Sequence, residues 1–262
     1  MMRHDDFHRP DRPRSAGYDL NWLLGLDMGP HPLWLLEDLT TDLHLQPGMR
    51  VLDLGSGQGA TSVFLAREFG VRVWAADLWV PADRAAATFA EQGVDDQVRA
   101  VHTDARELSF DQDSFDAVVC IDAWEYFGNE PRYLSYLLGF LRPGGQLGIA
   151  AAALAVEPTD LTAVPGYVSE FVGAQALAWH PPHWYADQWS TTEGVDVVAA
   201  RFAVNGWHDW LVWARAVADE VDEDPTVRML EQDAGRCLGF ALVTATKSGG
   251  PEQRSSLDAE RE

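Results

Sequence analysis

The feature that most constrains this chain is the stretch Arg50-Val-Leu-Asp-Leu-Gly-Ser-Gly-Gln-Gly-Ala60. Val51 to Leu54 is apolar apart from Asp53 and reads as a short buried strand. Glycines alternate at 55, 57 and 59, and an amphipathic run over 58–69 carries helical spacing. Strand, glycine turn and helix let a backbone approach a nucleotide-like ligand with no Cβ in the way. An ionised Asp53 at the end of a buried strand needs donors. They come from the loop's own N–H groups or from the ammonium and hydroxyl groups of a ligand.

The chain then alternates. The pattern predicts strands over 50–54, 72–76, 98–102, 116–121, 146–152, 195–203 and 238–247. It predicts helices over 33–45, 58–69, 81–92, 130–141 and 206–221. Such alternation implies right-handed βαβ units and a parallel sheet covered on both faces. The expected fold is α/β: a Rossmann-like, seven-stranded, mostly parallel sheet with an aromatic-rich insertion after the fifth strand. That insertion, 154–194, carries Pro158, Pro165, Pro181 and Pro182 among aromatic residues. Polar, charged segments at 1–17 and 248–262 are expected to be disordered tails around a single domain, 18–247.

Charge narrows the partners. With 19 basic against 41 acidic residues the chain carries −22, a field that opposes nucleic acid and anionic membranes. No apolar run reaches the length of a membrane span and no signal core is present, so a cytoplasmic protein is expected, monomer or homodimer. Cys120 and Cys237 read as small buried hydrophobes without a disulfide framework. His180 and His183 are separated by two prolines with no third ligand in register, so no metal is expected.

Asp53-Leu-Gly55-Ser-Gly57-Gln-Gly59 resembles the first motif of the class I S-adenosylmethionine (SAM) dependent methyltransferases, acidic-x-Gly-x-Gly-x-Gly. A Leu141-Arg-Pro-Gly-Gly145 turn before the fifth strand and a late strand hairpin are further marks of that family. Taken alone, Gly55-x-Gly57-x-x-Ala60 also satisfies the looser dinucleotide pattern. An NAD-dependent oxidoreductase therefore stays open, as does a non-catalytic SAM-binding regulatory or scaffold protein. The resemblance implies that Asp53, Gly55, Ser56, Gly57 and Asp122 hold the cofactor, Asp122 at its methionine end. It also implies that Asp104 and the backbone of Ala105 meet the adenine amino group. Asp77, at the carboxyl end of the second strand, is placed to accept both ribose hydroxyls, and Leu78 and Trp79 are placed to sandwich the adenine.

SAM carries its own reactivity, so the protein has to align an acceptor and, where needed, take its proton. The candidate bases are His180, His183 and Glu125, with His31 and His208 behind them. Candidate acceptor contacts are Trp124, Tyr126, Tyr18 and Trp184. Eleven tryptophans is a high count, and several fall in or after 154–194. That insertion is expected to roof the methyl group, with 18–31 closing the other side. The function expected is methyl transfer from SAM to a small-molecule acceptor.

Overall fold

Side chains along the central strands point alternately to the two faces of the sheet, and both sets are buried, building two cores, one on each face. In the computed structural model, which describes Phe7 and residues 9–249, Val51, Val73 and Val119 belong to one core. Leu52, Leu54, Val118 and Cys120 belong to the other. The strands are β1 (Arg50–Leu54), β2 (Arg72–Asp77), β3 (Val98–His102), β4 (Phe115–Ile121), β5 (Leu141–Leu154), β6 (Val195–Phe202) and β7 (Leu238–Lys247). Their order is β3-β2-β1-β4-β5-β7-β6. The first five run parallel, and β7 runs antiparallel to both β5 and β6.

The first core packs against α1 (Leu20–Gly25), α2 (Pro32–Thr40), α3 (Ala60–Phe69), α4 (Ala82–Glu91), and, after α5 to α7, α8 (Gly206–Val217) and α9 (Pro225–Asp233). The second takes α5 (Tyr133–Leu138) and α7 (Pro182–Ser190). Between them lies α6 (Gly166–Val172), whose Val168 joins the first core. Asp53 sits on the first face, at the N-terminal end of α3.

Three expectations change. The helix expected over 130–141 forms only as α5, because Leu141 already pairs with Phe115 and opens β5. Residues 142–145 then bulge out before Gln146 pairs with Ala117, so the Pro-Gly-Gly turn lies within the strand rather than ahead of it. The pattern above did not anticipate α9, although Asp224 caps it by accepting from Val227 N at 2.9 Å and Pro225 holds its first position.

The tail expected over 1–17 is ordered structure over 9–17. Arg12 is 2% exposed. It donates to Asp38 at 3.0 and 2.7 Å and lies 3.0 Å from Asp209. The Arg14 and Ser15 amides donate to Glu37 at 2.9 and 2.8 Å. A buried guanidinium needs such carboxylates, and sequence position alone did not reveal them. Residues 1–6, 8 and 250–262 of the expected tails lie outside the described residues. Among the described residues no helix is long and apolar enough to cross a membrane.

Candidate active site

The carboxyl ends of β1, β2 and β4 open into a cavity of about 350 Å³. Its floor is the glycine loop. After β1 the backbone turns through Gly55 at φ +74°, where an added Cβ would stand 2.4 Å from the Ala123 Cβ. A side chain there would close the cleft. Gly59 serves a different purpose: at φ +98° it starts α3, and its Cα lies so near Phe89 that a Cβ would come within 2.4 Å of the ring. It locks α3 against α4 and stays out of the cavity lining.

Of the expected cofactor residues, Gly55, Ser56, Gly57, Asp77, Leu78, Asp104, Ala105 and Asp122 all line this cavity. Asp77 Oδ2 accepts from Gly57 N at 2.8 Å, while Oδ1 accepts from Trp79 N and Val80 N at 2.7 and 2.8 Å. The carboxylate therefore ties the glycine loop to the turn after β2. By the usual two lone pairs per oxygen, it keeps one accepting position, on Oδ2, for a ligand hydroxyl rather than two. Asp104 is held by the Arg106 guanidinium at 2.9 and 2.7 Å, which lowers its pKa, and one position on its Oδ2 also stays open. Leu78 and Trp79 present exposed apolar surface beside it.

Asp53 does not line the cavity. Its Oδ2 accepts from the Thr61 and Ser62 hydroxyls, both at 2.6 Å, which clamps the first turn of α3. Its Oδ1 is buried without a protein partner. Burial pushes its pKa up to about 6 against those two hydrogen bonds. Asp53 thus braces the first turn of α3 from outside the cavity lining.

The residues expected to carry the acceptor chemistry divide sharply. Tyr126 lines the mouth, half exposed, its ring edge-on to Trp79 at 5.1 Å. Trp124 is fully buried and packs on Trp189 at 5.6 Å, so it belongs to the core. Tyr18 stacks on Trp22, packs on Phe64 and donates to Glu68 at 3.1 Å, on the far side of α3. Trp184 stacks face to face on His180 at 3.6 Å. His180 pairs with Glu157 at 2.8 Å, and burial outweighs that carboxylate to lower its pKa. His183 is exposed on α7.

None of Trp124, Tyr18, Trp184, His180 and His183 lines the cavity, and the 154–194 segment packs its aromatics between sheet and helices instead of over the glycine loop. The insertion reaches the mouth through a Gln175 hydrogen bond to Tyr126. His31 and His208 also lie away from it. His31 caps α2 by accepting from Trp34 N at 3.2 Å, and burial drives its pKa down to about 3.

The cover comes from the segment after α1. Leu26, Met28, Gly29 and Pro30 line the cavity, and Asp27 is anchored by the Trp213 indole N–H at 2.7 Å. Sequence reasoning named 18–31 but missed Asp27, because its partner is 186 residues away. Glu125 lies behind Asp122, buried, with Oε2 unpartnered. Burial raises the pKa of both, and that of Asp122 is raised further by Glu125 and Asp27.

This lining fits SAM. The Ser56 hydroxyl is buried without a partner in the cavity wall, ready for a carboxylate. Asp77 retains one accepting position, and Asp122 adds a second carboxylate to the lining. Antiparallel β7 between β5 and β6 departs from the 3-2-1-4-5-6 order of dinucleotide-binding sheets, which removes the fold-level case for NAD.

Known proteins agree. Residues 51–145 match a family described as a methyltransferase domain. Demethylmenaquinone methyltransferase of Clavibacter sepedonicus is 36% identical over 160 residues, 57% of this chain and 61% of that protein. Among solved structures, geranyl diphosphate C-methyltransferase of Streptomyces coelicolor A3(2) has a TM-score of 0.66 at 20% identity, covering 83% of this chain and 78% of that one. Phosphoethanolamine N-methyltransferase 2 of Haemonchus contortus, in complex with SAM, has a TM-score of 0.71 at 19% identity, covering 93% and 59%. The chain spans 61%, 42% and 25% of the length of three curated relatives it matches. Residues 51–145 thus match a methyltransferase domain family, and the sheet order and glycine loop agree with that match.

Proposed function

We propose that this protein transfers a methyl group from SAM to a small-molecule acceptor. The observation that carries the reading is the cavity itself. One face offers the loop, Ser56, Asp77 and Asp104 to a nucleoside bearing an amino acid, and the mouth beside Asp122 is walled by Trp79, Tyr126 and Met28. When bound, SAM supplies a methyl group activated by its sulfonium.

The chain's own work is orientation and exclusion of water. The 26–30 cover and the Trp79–Tyr126 pair shape the space that an acceptor would fill. Because fold does not determine reaction, the proposal rests on this site. We read 9–247 as the functional unit, a cytoplasmic monomer or homodimer, and its −22 charge supports the reading that it takes no nucleic acid.

The test is calorimetric titration with S-adenosylhomocysteine and, in parallel, NAD, followed by transfer from methyl-labelled SAM to an acceptor panel. Micromolar binding of the homocysteine nucleoside alone supports the reading. Binding of NAD alone overturns it.

A further inference from the structure

The cover over the cavity, 26–30, has a single polar side chain. Leu26, Met28, Gly29 and Pro30 line the cavity, and Asp27 does not. The Asp27 carboxylate instead accepts from the Trp213 indole N–H at 2.7 Å and from the Gly29 amide. Trp213 is fully buried in α8, its ring edge-on to His31 at 4.5 Å and to Phe7 at 6.5 Å. Helix α8 lies outside residues 51–145, so this bond ties the cover to a part of the chain beyond the family match.

What the bond holds in place is a close fit. Met28 Sδ stands 3.0 Å from where a Cβ on Gly57 would be, and a Cβ on Gly29 would come within 2.5 Å of Asp122 Oδ2. Glycine on one side of each contact lets the cover lie directly on the loop after β1 and on the residue after β4. Leu, Met, Gly and Pro side chains offer no hydrogen-bonding N or O, so side-chain hydrogen bonding of the segment rests on Asp27. Buried Pro30 fixes the downstream end and Asp27 the upstream end, with Met28 and Gly29, both exposed, between them.

Building on the methyltransferase reading, we infer that Trp213 is a positioning residue: through Asp27 it keeps Met28 and Gly29 seated over the glycine loop and Asp122, so that SAM meets a preformed wall. Trp213 itself does not line the cavity and acts only through the cover. With the bond broken the cover is seated for only part of the time, and the apparent Kd rises by the inverse of the seated fraction. A displaced wall also loosens the alignment on which methyl transfer depends.

The test is calorimetric titration of the whole chain with S-adenosylhomocysteine, with melting temperatures measured beside it. The proteins are wild type, Trp213→Phe, Asp27→Ala, Asp27→Asn and the Trp213→Phe, Asp27→Ala double variant. Phe keeps a ring against His31 and Phe7 but lacks the N–H, whereas Asn keeps an acceptor for it. We expect Kd to rise about tenfold in Trp213→Phe and in Asp27→Ala, as for one hydrogen bond to a charged group. The double variant should lose no more than either single one, and Asp27→Asn should stay within about threefold of wild type. A role confined to packing lowers the melting temperature of Trp213→Phe without that coupling. Kd within about threefold of wild type in Asp27→Ala or in folded Trp213→Phe, additive losses in the double variant, or Asp27→Asn as weak as Asp27→Ala each overturns the inference. Where Trp213→Phe does not fold, the two Asp27 variants decide: a loss in Ala that Asn does not share supports it, and any other pattern overturns it. Failure of wild type to bind S-adenosylhomocysteine sinks instead the underlying reading, and is seen before any variant is compared.

Discussion

Replacing Asp77 by Asn tests how the cleft holds a ribose. In the protein this carboxylate accepts from Gly57, Trp79 and Val80 amides and keeps one lone pair free. The Asn oxygen can retain Trp79 and Val80, but its NH2 then faces the Gly57 N–H and cannot accept a ribose hydroxyl. One charge-assisted hydrogen bond to ligand is lost, worth about 1.5–3 kcal/mol. That is about 10- to 150-fold in Kd for S-adenosylhomocysteine. Because loop loosening also weakens binding, the assay is a thermodynamic cycle with a 3′-deoxy analogue and a 2′-deoxy analogue. One of the two deletions should cost wild type that amount and cost the variant nearly nothing. Affinity within about threefold of wild type in a variant of unchanged melting temperature would refute the assignment of Asp77 to the ribose. Coupling to both hydroxyls would refute the count of one free lone pair.

Other expectations follow from burial. Gly59→Ala puts a Cβ 2.4 Å from the Phe89 ring at φ +98°, so backbone strain and overpacking should cost about 2–5 kcal/mol; a melting temperature within ~1 °C of wild type would contradict this. Asp53, with its pKa raised from 3.8 to about 6, binds a proton in the folded state that the unfolded chain has released, so its contribution to stability falls as pH rises from 3.8 through 6. Asp53→Asn mimics the protonated form. It should gain up to about 3 kcal/mol over wild type at pH 8 and nothing near pH 3, which urea melts at the two pH values would check.

His31 has the opposite sign. Its pKa is lowered from 6.5 to about 3 in the fold, so the unfolded chain takes up the proton first and stability drains away as pH falls from 6.5 towards 3. His31→Asn can still cap α2 and should flatten that acid limb in urea melts. An unchanged slope would show that His31 titrates in place.

Much of the cofactor side was legible in the sequence. The glycine alternation, the strand–helix rhythm and the aspartates ending β2 and following β3 and β4 are local signals, since a strand end fixes where its next residue lies. They predicted the sheet and eight of the lining residues without knowledge of any distant contact. What the tertiary structure decided was everything set by partners far along the chain. Trp124 and Trp184 read as well-placed aromatics but are consumed by packing on Trp189 and His180. His180 finds Glu157 rather than the cleft. Arg12, in a stretch that reads as a polar tail, becomes one of the most buried charges because Asp38 and Asp209 surround it. Asp27 is fixed in the cover by the Trp213 indole, 186 residues away. A side chain's type and local spacing determine which element it can occupy. Which neighbour satisfies its charge or fills its surface depends on the packing of elements that the local pattern does not encode.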